Sequence, residues 1–108
     1  MKKFKCTVTK TYEYEIEIDE KVHNEEKLKN WSKYFCEVNN LKEFVGELAE
    51  RKTNYDRGQF IEGFGIPYIN GEAPWVYDEY KDSLNSTINI SVIDEASYPE
   101  IDVEEINE

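Results

Sequence analysis

One histidine, two cysteines and an abundance of carboxylates are the side chains of this chain best suited to chemistry. His23 directly precedes Asn24, a helix-capping residue, and no second ligand sits at helical or Cys-x-x-Cys spacing from it. A zinc site needs three or four Cys, His or carboxylate ligands, so His23 reads as a surface histidine and no metal or cofactor is expected. Cys6 and Cys36 fall on the apolar faces of a predicted strand and a predicted helix. Buried thiols behave as small, inert hydrophobes, and two thiols in a chain without an export signal are expected to be reduced, with a bridge between them as the alternative. Gly63-Phe64-Gly65 lacks the later Gly and Lys of a phosphate loop and runs into Ile66-Pro67, so a backbone turn or bulge is expected. Asp78 and Asp82 lack the glycine and terminal glutamate of a calcium loop. Pairs such as Asp78/Glu79 or Glu104/Glu105 are too common here to single out an acid–base couple, which depends on separated pKa values. These residues point away from an enzyme.

The carboxylates matter instead as a distribution. Residues 1–57 hold 12 Lys/Arg and 12 Asp/Glu, whereas residues 58–108 hold one basic residue, Lys81, and 12 acidic ones. The net charge of −11 therefore comes from the second half. Self-repulsion opposes compactness, so the asymmetry concerns solubility or a partner. Direct nucleic-acid binding is excluded, because it would add phosphate repulsion, and anionic membranes are disfavoured for the same reason. Met1–Lys5 lead into alternating residues and not into an apolar leader, and no stretch approaches transmembrane length. A cytoplasmic protein is expected.

The elements that must position these groups follow from periodicity. Phe4, Cys6, Val8, Tyr12, Tyr14, Ile16 and Ile18 share one parity, and Thr7, Thr9, Glu13, Glu15 and Glu17 the other. That period of two predicts a strand with one buried face, preferably one long strand bent near Lys10, with division into two as the alternative. Asn24 caps a helix with Leu28, Trp31, Phe35 and Val38 as its inner stripe. Asn40-Leu41-Lys42-Glu43 resembles a capping box, opening a second helix with Leu41, Phe44, Val45, Leu48, Ala49 and Lys52 inward and Gly46 outward. It is expected to end before the turn formers Asn54-Tyr55-Asp56-Arg57-Gly58. Gln59–Phe64 reads as a short strand, and Asn70-Gly71 as a type I′ hairpin turn whose ladder is cut short by Pro67 facing Pro74. Ile88, Ile90 and Val92 mark another one-faced strand; Asp94–Glu108 keeps enough apolar residues to dock as a last one. The expected fold is a single α+β domain over residues 1–108, with a mostly antiparallel, twisted sheet and two helices on one face, in the order β-α-α-β-β-β.

Phe60, Phe64, Tyr68, Trp75, Tyr77 and Tyr80 concentrate in the acidic half. In the expected hairpin, Ile66, Tyr68, Ala73, Trp75 and Tyr77 share a face, which either covers the helices or binds a protein through aromatic anchors and a carboxylate rim. The candidate contact residues are Glu72, Trp75, Tyr77, Asp78, Glu79, Tyr80 and Asp82, followed by Asp94, Glu95, Glu100, Asp102, Glu104 and Glu105. Eleven charges equal those of roughly 19 Å of duplex DNA. The first functional expectation is therefore an inhibitor occupying the basic, nucleic-acid-binding surface of a target protein, with these carboxylates on one continuous surface. The alternative is an accessory module that binds a protein through the aromatic hairpin or a sheet edge.

With its Lys-rich start, its Thr7–Asp19 strand and its acidic tail Asp94–Glu108, the chain resembles in character the small acidic proteins of phages and mobile elements. These include anti-CRISPR and anti-restriction proteins. The resemblance implies a protein target such as a Cas effector and assigns no site residue.

Overall fold

The alternation near the N-terminus builds two strands, and the break between them falls at Lys10. The computed structural model describes residues 1–54 and 59–107. In it, β1 (Lys3–Thr9) and β2 (Tyr12–Ile18) are followed by helices α1 (Glu25–Tyr34) and α2 (Leu41–Asn54). Then come β3 (Ile66–Ile69), a 3-10 helix (Asp78–Ser83), β4 (Leu84–Glu95) and β5 (Glu100–Ile106). β2 pairs antiparallel with β4, and β1 antiparallel with β5. One two-stranded ladder thus runs through an interruption of unequal length, residues 10–11 against 96–99. The preferred single bent strand is corrected to two strands in separate sheets, because an interruption of two residues against four cannot keep the ladder in register.

The inner sheet has the order β2-β4-β3, with β3 parallel to β4 at one edge. Ile88 and Ile90 of β4 are completely buried; Leu28 of α1 and Phe44 and Leu48 of α2 cover them, with Tyr14, Ile16 and Ile18 of β2 alongside. This is an α+β fold with both helices on one face of a mostly antiparallel sheet. Both helix starts are capped locally: Lys27 N donates to Asn24 Oδ1 at 3.0 Å, and Glu43 N to Asn40 Oδ1 at 2.9 Å. The Glu43 carboxylate answers by accepting from Asn39 N at 2.9 Å, one residue earlier than a standard capping box. α1 stops at Tyr34, so Phe35, Cys36 and Val38 lie beyond it. Val38 still reaches the core, held by Ser32, whose hydroxyl accepts its N–H at 3.1 Å and donates to Leu28 O at 2.8 Å. α2 runs through Asn54; the turn expected over residues 55–58 lies outside the described residues, as does Glu108.

Gln59–Phe64 is not a strand. Ile61 forms one isolated bridge with Gly65, and Gly63 and Gly65 take φ of +89° and +78° in a tight turn. The Asn-Gly turn forms as expected, with φ of 52° at Asn70 and 84° at Gly71. Its ladder stops after the Ile69–Glu72 bridge, where the facing prolines have no N–H to offer.

The β1–β5 ribbon projects from this body with every residue exposed. The radius of gyration is accordingly 18.3 Å, against about 13 Å for a compact chain of this length. Among the described residues, no helix is long and apolar enough to cross a membrane.

Two glycines test the packing in opposite directions. A Cβ at Gly46, mid-helix in α2, meets nothing within 4 Å, so Gly46→Ala should stabilise the fold by about 1 kcal/mol. At Gly65 a Cβ would stand 2.8 Å from Ser83 O on a left-handed backbone, so Gly65→Ala should destabilise by on the order of 2 kcal/mol. Urea unfolding of both variants checks the signs.

Candidate protein-binding surfaces

Between Glu72 and the 3-10 helix the chain has no regular structure but alternates in burial, with Val76 buried and Trp75 and Tyr77 exposed. Val76 and Ile66 form the floor of a groove of about 410 Å³, walled by Phe60, Trp75, Tyr77 and Tyr80. The Trp75 and Tyr77 rings meet edge to face at 4.8 Å. Gln59 Nε2 donates to Trp75 O at 2.9 Å and ties the two walls together. The four aromatic walls are 52% to 71% exposed, so they do not serve as helix-covering core. The expected apolar hairpin face does not form: Ile66 is buried in β3 while Trp75 and Tyr77 face water. Asp78, Glu79 and Asp82 are exposed on the adjoining 3-10 helix, where Lys81 Nζ bonds Asp78 Oδ1 at 2.7 Å.

The remaining candidate carboxylates lie elsewhere. Asp94 and Glu95 lie at the far end of the twelve-residue β4 from Asp82, about 35 Å of strand away. Beyond them, Glu100, Asp102, Glu104 and Glu105 face Thr9, Thr7, Lys5 and Phe4 across the ribbon. Lys2 Nζ approaches Glu105 Oε1 at 3.7 Å. The single continuous acidic surface is therefore corrected to separate groups. On the ribbon, Lys2, Lys3, Lys5 and Lys10 match the four carboxylates of β5 in number, so the basic start balances the charge of β5.

The structure assembles an acidic row that the half-by-half charge count hides. Glu13, Glu15 and Glu17 point away from the helices on β2, and Asp94 sits opposite Glu13. A bulge between Glu13 and Tyr14 skips Ile93 on β4. That skip reverses the parity of Asp94 and brings it to the outer face. The lysines that balance these glutamates in the sequence, Lys27, Lys29 and Lys33, are exposed on α1, across the sheet from the row.

His23 is buried, which corrects the expectation of a surface residue. Its ring packs on Phe44 at 5.4 Å, and its Nε2 lies 2.9 Å from Thr87 Oγ1. Thr87 Oγ1 donates its only hydrogen to Asn85 Oδ1 in a short bond, so it accepts from His23. The imidazole therefore carries a proton on Nε2. That direction prevents His23 from acting as a base toward Thr87, and the cluster pins α1's approach to β4. Asn85 continues the chain to Phe64 O at 2.8 Å. Cys6 is exposed on the ribbon and Cys36 is half-buried after α1; both are free thiols, and neither has the deep burial expected of it. Burial, followed by Glu47, pushes the Cys36 thiol up. Among the described residues, no three His, Cys, Asp or Glu side chains gather closely enough to hold a metal ion.

Burial pushes the His23 pKa below its ordinary 6.5; Lys27 adds to the shift and Asp19 opposes it. A depressed histidine contributes stability above the unfolded value and loses it as pH falls from 6.5 through the folded value. Thermal unfolding between pH 7 and the carboxylate range should show this loss, and His23→Gln should flatten the slope.

No protein-family model matches this chain, and neither the curated proteins nor the solved structures contain a significant match to it.

Proposed function

We propose that this chain is a non-catalytic protein-binding module that seats a basic segment of another protein in the groove of Phe60, Trp75, Tyr77 and Tyr80. The observation that carries this reading is that four largely exposed aromatic side chains converge on one groove. Leaving that much apolar surface in water contributes nothing to folding, whereas Trp and Tyr are the residues that dominate binding hot spots. The carboxylates of Asp78, Glu79 and Asp82 select the partner's sign. A Lys or Arg can pair with this rim while its cation lies over a ring face. A free, exposed Cys6 suits a reducing compartment, which supports a cytoplasmic location.

A second reading is favoured by the row on the outer sheet face. There the chain acts as an inhibitor of the anti-CRISPR or anti-restriction kind, filling a basic nucleic-acid-binding surface. Glu13 and Asp94 are directly opposed, and opposed like charges work against the sheet; Asp94 offsets this by accepting from Ala96 N at 2.9 Å, which leaves Glu13, Glu15 and Glu17 as exposed charges open to a partner. Glu13, Glu15 and Glu17 repeat about every 6.8 Å along β2, with Asp94 beside Glu13 on β4, a row of one sign that is sparser than the phosphates of one duplex strand, about 3.4 Å apart.

Affinity capture from cell lysate at low salt separates the two readings. Side by side, the baits are the native chain, Trp75→Ala and the triple variant Glu13→Gln/Glu15→Gln/Glu17→Gln. Trp75 is exposed, so its removal should leave the thermal midpoint unchanged while weakening the captured partner on the order of 30-fold, as a 2 kcal/mol hot spot does. Equal retention by Trp75→Ala overturns the groove reading. Loss confined to the triple variant, with a nucleic-acid-binding protein as the lost partner, establishes the second.

A further inference from the structure

We propose that two copies of this chain pair through the open edge of β1, antiparallel about a two-fold axis at Cys6, to form a four-stranded sheet β5-β1-β1-β5. The ribbon demands a partner on elementary grounds. One face carries Phe4, Cys6, Val8, Ile101 and Val103, with Glu105 opposite Phe4 at its end, all exposed, and an isolated two-stranded ribbon is marginal in water whereas three or more strands with an apolar face are not. Among the described residues β1 pairs with β5 alone, so its other edge is free along Lys3–Thr9.

The register follows from symmetry. In an antiparallel pair of identical edges, residues facing each other must have the same parity, because only alternate residues turn their N–H and C=O outward. Full overlap of Lys3–Thr9 then centres on Cys6. Lys5 faces the second copy's Thr7, Lys3 its Thr9, and Phe4 its Val8. No like charges are opposed within the ladder, and Phe4 packs on Val8 of the other copy across the apolar face. Each Lys5 lies between its own Glu104 and the second copy's Thr7, with that copy's Asp102 one strand further on. Lys2 and Lys10 fall beyond the paired stretch.

The same construction on β5 fails. Centred on Val103 it opposes Asp102 to Glu104 and Ile101 to Glu105, and like charges directly opposite one another destabilise a sheet. Pairing the β1 edge with the β5 edge of another copy is head-to-tail and would propagate as a fibre. Only the β1 edge is self-complementary. Sterically it is open as well: the body follows the C-terminal end of β1, so antiparallel pairing puts the two bodies at opposite ends of the new sheet.

The test is the mass of the full chain in solution, with cysteine cross-linking to read the register. At tens of micromolar under reducing conditions, light scattering should give twice the 12.8 kDa chain mass. Facing Cα atoms in a ladder are about 4.5–5.5 Å apart, within disulfide range. Diamide should therefore link Cys6 to Cys6: the two thiols lose two hydrogens to the azo reagent, which becomes the hydrazine. Cys36→Ser should keep the cross-link and Cys6→Ser abolish it. Thr7→Lys places an ammonium opposite the second copy's Lys5, on the face away from the apolar residues, and still faces Asp102 in its own chain. It should weaken dimerisation at least tenfold while the monomer stays folded by circular dichroism. A 12.8 kDa species throughout, or a dimer untouched by Thr7→Lys, overturns the proposal; the second result would mean that the apolar faces stack instead of the edges joining.

Discussion

Everything in this molecule is hung on the burial of Ile88 and Ile90 in the middle of β4. They are completely buried because helices cover one side and strands flank both edges. Fully burying two isoleucines is worth roughly 3–6 kcal/mol, a large part of a small domain's net stability. Once β4 is fixed, its two ends fix what they carry. The Leu84 end lies beside Ile66 of β3 and follows the 3-10 helix, so it sets the aromatic groove. The Glu95 end feeds β5 and with it the ribbon. The groove and the ribbon owe their geometry to the same strand without touching each other.

Charge is organised by the sheet and not by the halves of the chain. Pairing the acidic C-terminal strand with the basic N-terminal one cancels the contrast that is most conspicuous in the sequence. The excess of negative charge is left to the body, where Glu13, Glu15, Glu17 and Asp94 take the outer face and the lysines of α1 lie on the other side. The resulting field has a direction across the sheet. A basic partner approaching the outer face meets unopposed carboxylates, whereas one approaching α1 meets ammonium groups first.

What the sequence makes legible is what neighbouring residues decide. Asn24 and Asn40 cap their helices through bonds to the residue three positions on, and Asn70-Gly71 makes its turn from its own φ preferences. The alternation of residues 4–18 holds, as does the break at Lys10. His23 is different: its partner Thr87 is 64 residues away, and nothing local distinguishes it from a surface histidine. The aromatic segment shows a subtler limit. A period of two is readable around Trp75, but which parity faces inward is not, because Pro74 and Val76 are as apolar as Trp75 and Tyr77. The fold buries Val76, and the larger side chains are left as the exposed surface. The ribbon repeats the problem, since its alternating pattern is that of a half-buried strand while its apolar face has nothing of its own chain to cover it.

The two proposed contacts are compatible because the groove adjoins the Leu84 end of β4 and the ribbon its Glu95 end, in a molecule 58 Å long. Joining β1 edges leaves both grooves free and places them far apart, on the order of 90 Å given about 23 Å of shared ribbon. A bivalent molecule of that span gains avidity only from a partner that offers two sites at matching distance. It would cross-link separate partners otherwise. Homodimerisation in this geometry therefore alters which targets can be held tightly, in addition to stabilising an exposed ribbon. The joints between ribbon and body, at residues 10–11 and 96–99, decide how selective that is: the stiffer they are, the more narrowly the separation of the two grooves is fixed, which a flexible tether of similar reach does not do.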